Sequence, residues 1–251
     1  MKRPLLALVA LLGLAAPVMA ERLVSMVSNR NVLITSNFDG TTLTLFGNIE
    51  EDPPGSGTSG PYNVIVVING PMEDVVTRLA TNRFGVWSNT DEVIFRRFPS
   101  FYAVASSGRL DAIAPPELLE QYRVLPETQA VAAAQAPPDK AERFGRELVR
   151  LMTEDNHFVR RDDGVQFLSQ TAYAVNLQLP SDVANGAFLV RTLVLKDREL
   201  VAERSEGFSV RKSGFENFLF TASRQQPLLY GLACVILALG TGWLAGVAFR
   251  R

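Results

Sequence analysis

The chain has 251 residues, of which 47% are hydrophobic and 20% charged, enough for one large domain or two small ones and unlike a disordered or collagen-like composition. Its 25 Lys and Arg are balanced by 26 Asp and Glu, so there is no positive surplus to neutralise a phosphate backbone, and nucleic acid is excluded as a partner class. One His and one Cys exclude Cys/His zinc cages, CxxC redox pairs, an internal disulfide framework and multi-His metal sites, so no metal, cofactor or catalytic residue is assigned.

Lys2-Arg3, an apolar run from Leu5 to Ala16 and the small residues around Val18-Met19-Ala20 form the pattern of a secretory signal peptide over residues 1–20. About a dozen apolar residues fall short of the ~20 that span a bilayer. The mature chain is then expected to begin at Glu21, in an extracytoplasmic space.

Residues 21–114 read as a β-sandwich domain, because short runs of β-branched and aromatic residues alternate with turn signals. Val32 to Thr35 and Thr41 to Phe46 flank Asp39-Gly40, which predicts a tight hairpin. Tyr62 to Ile68 is nearly all apolar and predicts a strand covered on both faces, ending at Asn69-Gly70-Pro71. Further strands are expected at 74–79, 84–87, 92–98 and 101–105.

Residues 115–163 change character: a helix is expected over Glu117 to Val124, an Ala/Pro/Gln-rich linker over Pro126 to Pro138, and an amphipathic helix over Asp139 to Arg160. The apolar stripe of that helix, Phe144, Leu148, Leu151 and Met152, could mark a partner groove but is better explained by a helix closing over the sandwich. Strand pattern resumes over 164–212, with Val165 and Phe167, then Tyr173, Val175, Leu177 and Leu179, alternating with polar residues. Phe188 to Leu195 and Leu200 to Val210 surround Lys196-Asp197-Arg198-Glu199, a charged tip suited to a hairpin turn. These strands either complete the first sandwich or form a second one.

Phe215, Phe218, Leu219 and Ala222 suggest a short interfacial amphipathic segment over 213–226. Leu228 to Phe249 then carries no charge and is followed at once by Arg250-Arg251, the pattern of a transmembrane helix over 227–249 with a two-residue cytoplasmic tail. The expected topology is therefore single-pass, with the bulk of the chain in an extracytoplasmic space and the C-terminus in the cytoplasm. Gly242 and Gly246 form a GxxxG pair that would let another helix approach, from a second copy of this chain or from another membrane protein, although small residues are common in membrane helices and ordinary exposure to the lipid bilayer also accounts for them. Cys234 lies within the hydrocarbon stretch and reads as a small apolar filler.

Three motifs suggest chemistry without the context it needs. Gly55 to Gly60 matches GxGxxG, but Pro53-Pro54 precedes it and strand-like Tyr62 to Ile68 follows, so a turn loop is the better reading. Ser209 and Lys212 match SxxK, yet in a strand their side chains would stand about 10 Å apart on opposite faces. His157 lies among Glu154, Asp155, Asp162 and Asp163, a grouping open to a base or calcium role but also to a solvated helix end. The aromatic set between Phe84 and Tyr102 carries interleaved arginines, and from it Phe84, Trp87, Arg96, Phe98, Phe101 and Tyr102 are the candidate partner-binding residues.

The chain resembles the alpha-proteobacterial putative transmembrane protein family through Phe38-Asp39-Gly40 leading into Leu45-Phe46-Gly47, Val67 to Pro71, Gly85 to Asn89 and Phe98 to Ser107. The likeness continues through Lys212 to Glu216, Tyr230-Gly231 and Gly242-Trp243, nearly the length of the mature chain. The resemblance implies an exported β-rich protein with one C-terminal span, and genes that often neighbour a sulfite-exporter-type permease. It supplies no catalytic residues. The expectation is thus a mainly β protein with a helical insertion, an immunoglobulin-like β-sandwich on a single C-terminal transmembrane helix, acting without catalysis beside a membrane partner. The rival readings are an envelope hydrolase or carbohydrate-active enzyme using Asp162 and Asp163 or Glu117 and Glu120, and a periplasmic ligand-binding sensor signalling through a partner.

Overall fold

The computed structural model describes residues 22–34, 40–50, 61–212, 219 and 222–248. The signal-peptide stretch 1–20, Asp39 of the expected turn, the glycine-rich stretch 55–60, Phe215 and Phe218, and the Arg250-Arg251 tail lie outside them.

Twelve strands are described. A four-stranded sheet runs in the order β1 (Arg22–Val27), β3 (Thr41–Glu50), β10 (Ala172–Leu179), β9 (Val165–Phe167). A six-stranded sheet runs β2 (Asn31–Ile34), β12 (Glu199–Lys212), β11 (Gly186–Lys196), β4 (Tyr62–Asn69), β7 (Tyr102–Ser106), β8 (Phe158–Arg161). The remaining two, β5 (Met72–Arg83) and β6 (Val86–Pro99), pair only with each other as a long ribbon. Strands from before and after the helical insertion therefore share both larger sheets.

One face of each larger sheet feeds a common core. Leu43, Leu45, Tyr173, Val175 and Leu177 from the first sheet meet Val64, Val66, Ile68, Phe188, Val190 and Phe208 from the second. Tyr173 stacks its ring over Gly47, where an added Cβ would lie 2.2 Å from the ring, so the backbone of β3 is bare at that point to admit the aromatic. The other face of the six-stranded sheet presents Ile65, Val67, Leu193, Leu195 and Tyr102 to a second core. That core is roofed by α1 (Leu110–Ile113), α2 (Pro116–Gln121), α3 (Pro126–Ala133), α4 (Pro138–Glu154) and the base of the ribbon. Strand β4 is accordingly buried along nearly its whole length, which explains its continuous apolar run.

Three expectations are corrected by this arrangement. The hairpin across Asp39-Gly40 does not form: β2 pairs in parallel with β12 from Asn31↔Ser209 to Ile34↔Lys212, while β3 lies between β1 and β10 in the other sheet. Gly40 does adopt the positive φ that the dipeptide offers, at +100°, beside the Leu179 carbonyl. A turn dipeptide can reverse the chain, but the longer partners β1, β10 and β12 decide which edges are filled.

The Ala/Pro/Gln-rich stretch is not a linker. It forms α3, whose Ala130 packs against Gly145 of α4, and its end lies along β6 through Gln135 N–H donating to the Ile94 carbonyl at 2.8 Å. The small side chains that resemble a linker in composition are what allow the two helices to approach closely. The following helix also stops earlier than its periodicity suggests, at Glu154, because residues 158–161 leave it to extend the sheet beside β7 as β8. Within it Phe144 and Leu148 are buried and Leu151 is exposed.

The hairpin at Lys196 to Glu199 is present as expected. Asp197 and Arg198 both take positive φ, 50° and 69°, the geometry of the tight turn that suits strand twist.

Candidate functional site: the ribbon tip and the apolar stem

The ribbon is built from its base outward. At Asn69-Gly70-Pro71 the chain leaves the six-stranded sheet, and at Pro99-Ser100-Phe101 it returns. Gly70 N–H donates to the Phe101 carbonyl at 2.7 Å and Ser100 N–H to the Pro71 carbonyl at 2.9 Å, tying the two crossings together. An added Cβ on Gly70 would come within 2.9 Å of the Phe101 backbone nitrogen and Cβ. Above this crossing Val93, Phe95 and Phe98 turn into the helical core, where Phe98 stands 5.4 Å from the Phe158 ring and 5.9 Å from Phe95.

Beyond Leu79 and Asp91 the ribbon leaves the body. Lys140, near the start of α4, pairs with Asp91 and holds its carboxyl below the usual carboxylate range, chiefly through their hydrogen bond. Arg78 pairs with Glu92 at 3.4 Å, and Arg96 with Asp74 at 3.3 Å. The eleven steps from Met72 to Arg83 along the 12-residue β5, at about 3.3 Å each, give a ribbon of roughly 36 Å.

The tip is apolar. Phe84 and Gly85 form the turn with φ of +54° and +82°, and Gly85 N–H donates to Asn82 Oδ1 at 2.9 Å. Phe84 is 107% exposed, Trp87 70% and Val86 67%. Positive φ is costly for a bulky side chain, and this turn type ordinarily takes Asn or Asp at that position followed by Gly.

The expected partner-binding residues are divided by this geometry. Phe84, Trp87 and Arg96 are exposed on the ribbon. Phe98, Phe101 and Tyr102 are not surface residues: Phe98 and Phe101 are fully buried and Tyr102 is 1% exposed. The correction has a simple cause, since they stand where the ribbon rejoins the sheet and are enclosed from both sides. The Tyr102 hydroxyl hydrogen-bonds the Arg123 carbonyl at 2.7 Å, with the Val124 carbonyl 3.1 Å away, and burial pushes its pKa up to about 12. The sequence reading also missed that 84–85 is a turn; the signal was Gly85, preceded by an aromatic where Asn would be expected.

The motifs weighed for chemistry are dispersed. His157 leaves the acidic cluster and its Nε2 stands 3.5 Å from Asp182 Oδ2 instead. Among the described residues no group of three or more His, Cys, Asp or Glu could hold a metal ion. Ser209 lies in β12 with its Oγ bonded to Asn31 Oδ1 at 2.8 Å. Asp162 pairs with Arg160 at 3.1 Å beside a cavity of about 570 Å³ that also touches Asp163. Glu120 lines another of about 540 Å³ between the helices, together with Arg123, Glu127, Glu142 and Arg146. Both are open surface hollows lined by mixed charges.

The second candidate element is α5 (Pro227–Ala248), 22 residues with no acidic residue in its first turn and no basic residue in its last. Its apolar window, Pro227–Val247, has a mean hydropathy of 2.0 and none of it is buried by the rest of the chain. Around Gly242 and Gly246 an added Cβ would meet nothing within 4 Å, so this small-residue flank is open. Thr241 returns its hydroxyl to the Leu237 carbonyl at 2.8 Å, satisfying the polar group within the helix.

A β-rich body with one helix, among the described residues, long and apolar enough to cross a bilayer defines a membrane-anchored protein. The chain belongs to the family described as putative transmembrane protein (Alph_Pro_TM), whose model matches residues 22–251. No curated protein matches it.

Proposed function

We propose that this chain is a non-enzymatic accessory protein that holds its β-rich body in the periplasm, spans the inner membrane once with its C-terminus in the cytoplasm, and assembles with an inner-membrane protein. The observation that carries this reading is α5 itself: an apolar helix with no cover from its own chain and an open small-residue flank at Gly242 and Gly246, suited to a neighbouring helix. A sulfite-exporter-type permease is the concrete candidate, as the resemblance to the family implies. The body is read as an immunoglobulin-like sandwich, a reading supported by two mainly antiparallel sheets closing on one core.

Crosslinking in whole cells, followed by purification in mild detergent and mass spectrometry, tests the assembly. The expected result is recurrent capture of one membrane protein, reduced when Gly242 and Gly246 are both changed to Leu. Repeated recovery of the chain alone, or capture indifferent to those substitutions, overturns the helix-mediated reading. A reporter fused after Arg251 should be active only in the cytoplasm.

A further inference from the structure

We propose that the tip of the β5–β6 ribbon inserts into the interfacial layer of the same bilayer that holds α5, with Phe84, Val86 and Trp87 as the apolar wedge and Arg83 beside them facing anionic lipid headgroups. This contact goes beyond the assembly described above and does not depend on any partner protein.

The tip carries the composition that a membrane interface selects. Phe and Trp bury an apolar ring at the level of the headgroups, and an adjacent Arg keeps its guanidinium in the polar zone. Farther down the ribbon Arg78 pairs with Glu92 and Arg96 with Asp74, and Lys140 of α4 pairs with the ribbon's Asp91, while Arg97 near the base has no carboxylate within ion-pair distance among the described residues. Arg83 has no carboxylate within ion-pair distance among the described residues, so its charge is available to an anionic surface.

The shape fits a fluid layer better than a preformed pocket. The tip is convex and stands clear of the body: an added Cβ on Gly85 would meet nothing within 4 Å, and Phe84 has no packing partner among the described residues. Phe84 also occupies a positive-φ position that Asn would fill at lower cost, so an exposed aromatic is held there against local backbone preference.

Proximity supplies the rest of the argument. The last described strand, β12, ends at Lys212 and α5 begins at Pro227, so in sequence 14 residues, 213–226, lie between the sheet and the span. Even a fully extended chain covers at most ~3.6 Å per residue. The body is therefore always near lipid, and a contact too weak to recruit a soluble protein suffices for one already tethered.

Trp87 and Trp243 are the chain's two tryptophans, so the full-length Trp243→Phe variant makes Trp87 the sole reporter. It is reconstituted alone into vesicles of phosphatidylethanolamine and phosphatidylglycerol, with and without brominated acyl chains, and with iodide present on both sides. The expected result is a blue-shifted Trp87 emission that brominated lipid quenches and iodide does not. Phe84→Ser in this background should move the emission back to the red and restore iodide quenching while the circular dichroism of the body is unchanged. Arg83→Glu should weaken lipid quenching more in vesicles containing phosphatidylglycerol than in phosphatidylcholine.

Solvent-like emission with full iodide quenching overturns the proposal. So does protection that disappears on diluting the protein in lipid, which indicates a second copy, and so does protection seen only after a membrane extract is added, which indicates a protein partner. Because these vesicles contain no other protein, their outcome is independent of the crosslinking result for α5.

Discussion

The two ends of the β5–β6 ribbon use aromatic residues in opposite ways. At the base, Phe95 and Phe98 on β6 are fully enclosed and touch one another, and Phe98 also touches Phe158. At the tip, Trp87 on the same strand and Phe84 in the turn are exposed. Amino-acid type does not distinguish the two groups. What stands opposite does: helices α1 to α4 and the six-stranded sheet at the base, and nothing from the described chain at the tip. An aromatic residue on a ribbon is thus a stability element or a contact element according to how far along the ribbon it lies.

This contrast can be broken by substitution, beginning where the effect is largest. Phe98→Ala should destabilise the body by about 3–5 kcal/mol, since it leaves a cavity among packed rings, and thermal unfolding of the detergent-solubilised chain should shift accordingly. A shift as small as that of a tip variant would show that the base is not packed as described.

Alkaline pH should act next, and again at the enclosed end. Burial raises the pKa of Tyr102, and of Tyr173 in the other core, to about 12 from an ordinary value near 10. The folded chain holds these protons where the unfolded chain has begun to release them, so stability is intact below pH 10 and falls as pH rises toward 12. The loss should reach roughly 2–3 kcal/mol for each tyrosine at the top of that window. Unfolding measured between pH 8 and 12 should show it, and Tyr102→Phe should remove one share while costing about 1 kcal/mol at neutral pH for the lost hydrogen bond.

Gly70→Ala tests the crossing at the base. The new methyl would overlap the Phe101 backbone, and a cost of about 1–3 kcal/mol is expected in the same unfolding assay. At the tip the sign reverses: Phe84→Asn should raise stability by roughly 0.5–1 kcal/mol, because Asn accepts positive φ more readily. Trp87→Ser should change stability by less than about 0.5 kcal/mol. If either tip variant unfolded the body, the tip would have to be packed against something.

Several features are legible in the sequence itself. The alternation in Tyr173 to Leu179 repeats at the period of a strand and so gives its faces, the continuous apolar run Tyr62 to Ile68 marks a strand covered on both sides, and the charged cluster at 196–199 marks a turn. The apolar run of α5 was equally plain, because length and the absence of charge define a span without reference to the rest of the chain. The candidate site was half visible: Phe84 and Trp87 stood out by type, but Phe98, Phe101 and Tyr102 stood out equally and are buried.

The sequence by itself determined the classes of element, their approximate limits and the apolar stem, since these depend on periodicity, turn chemistry and hydropathy within a few residues. Only the tertiary structure decided that β2 and β3 belong to different sheets, that strands on both sides of the helical insertion complete the same two sheets, and that an Ala-rich stretch is a packed helix. Those outcomes depend on which edges and faces remain unfilled once distant segments have docked. The exposure of Phe84 and Trp87 is decided in the same way, because burial is a property of the neighbours a residue acquires and not of the residue.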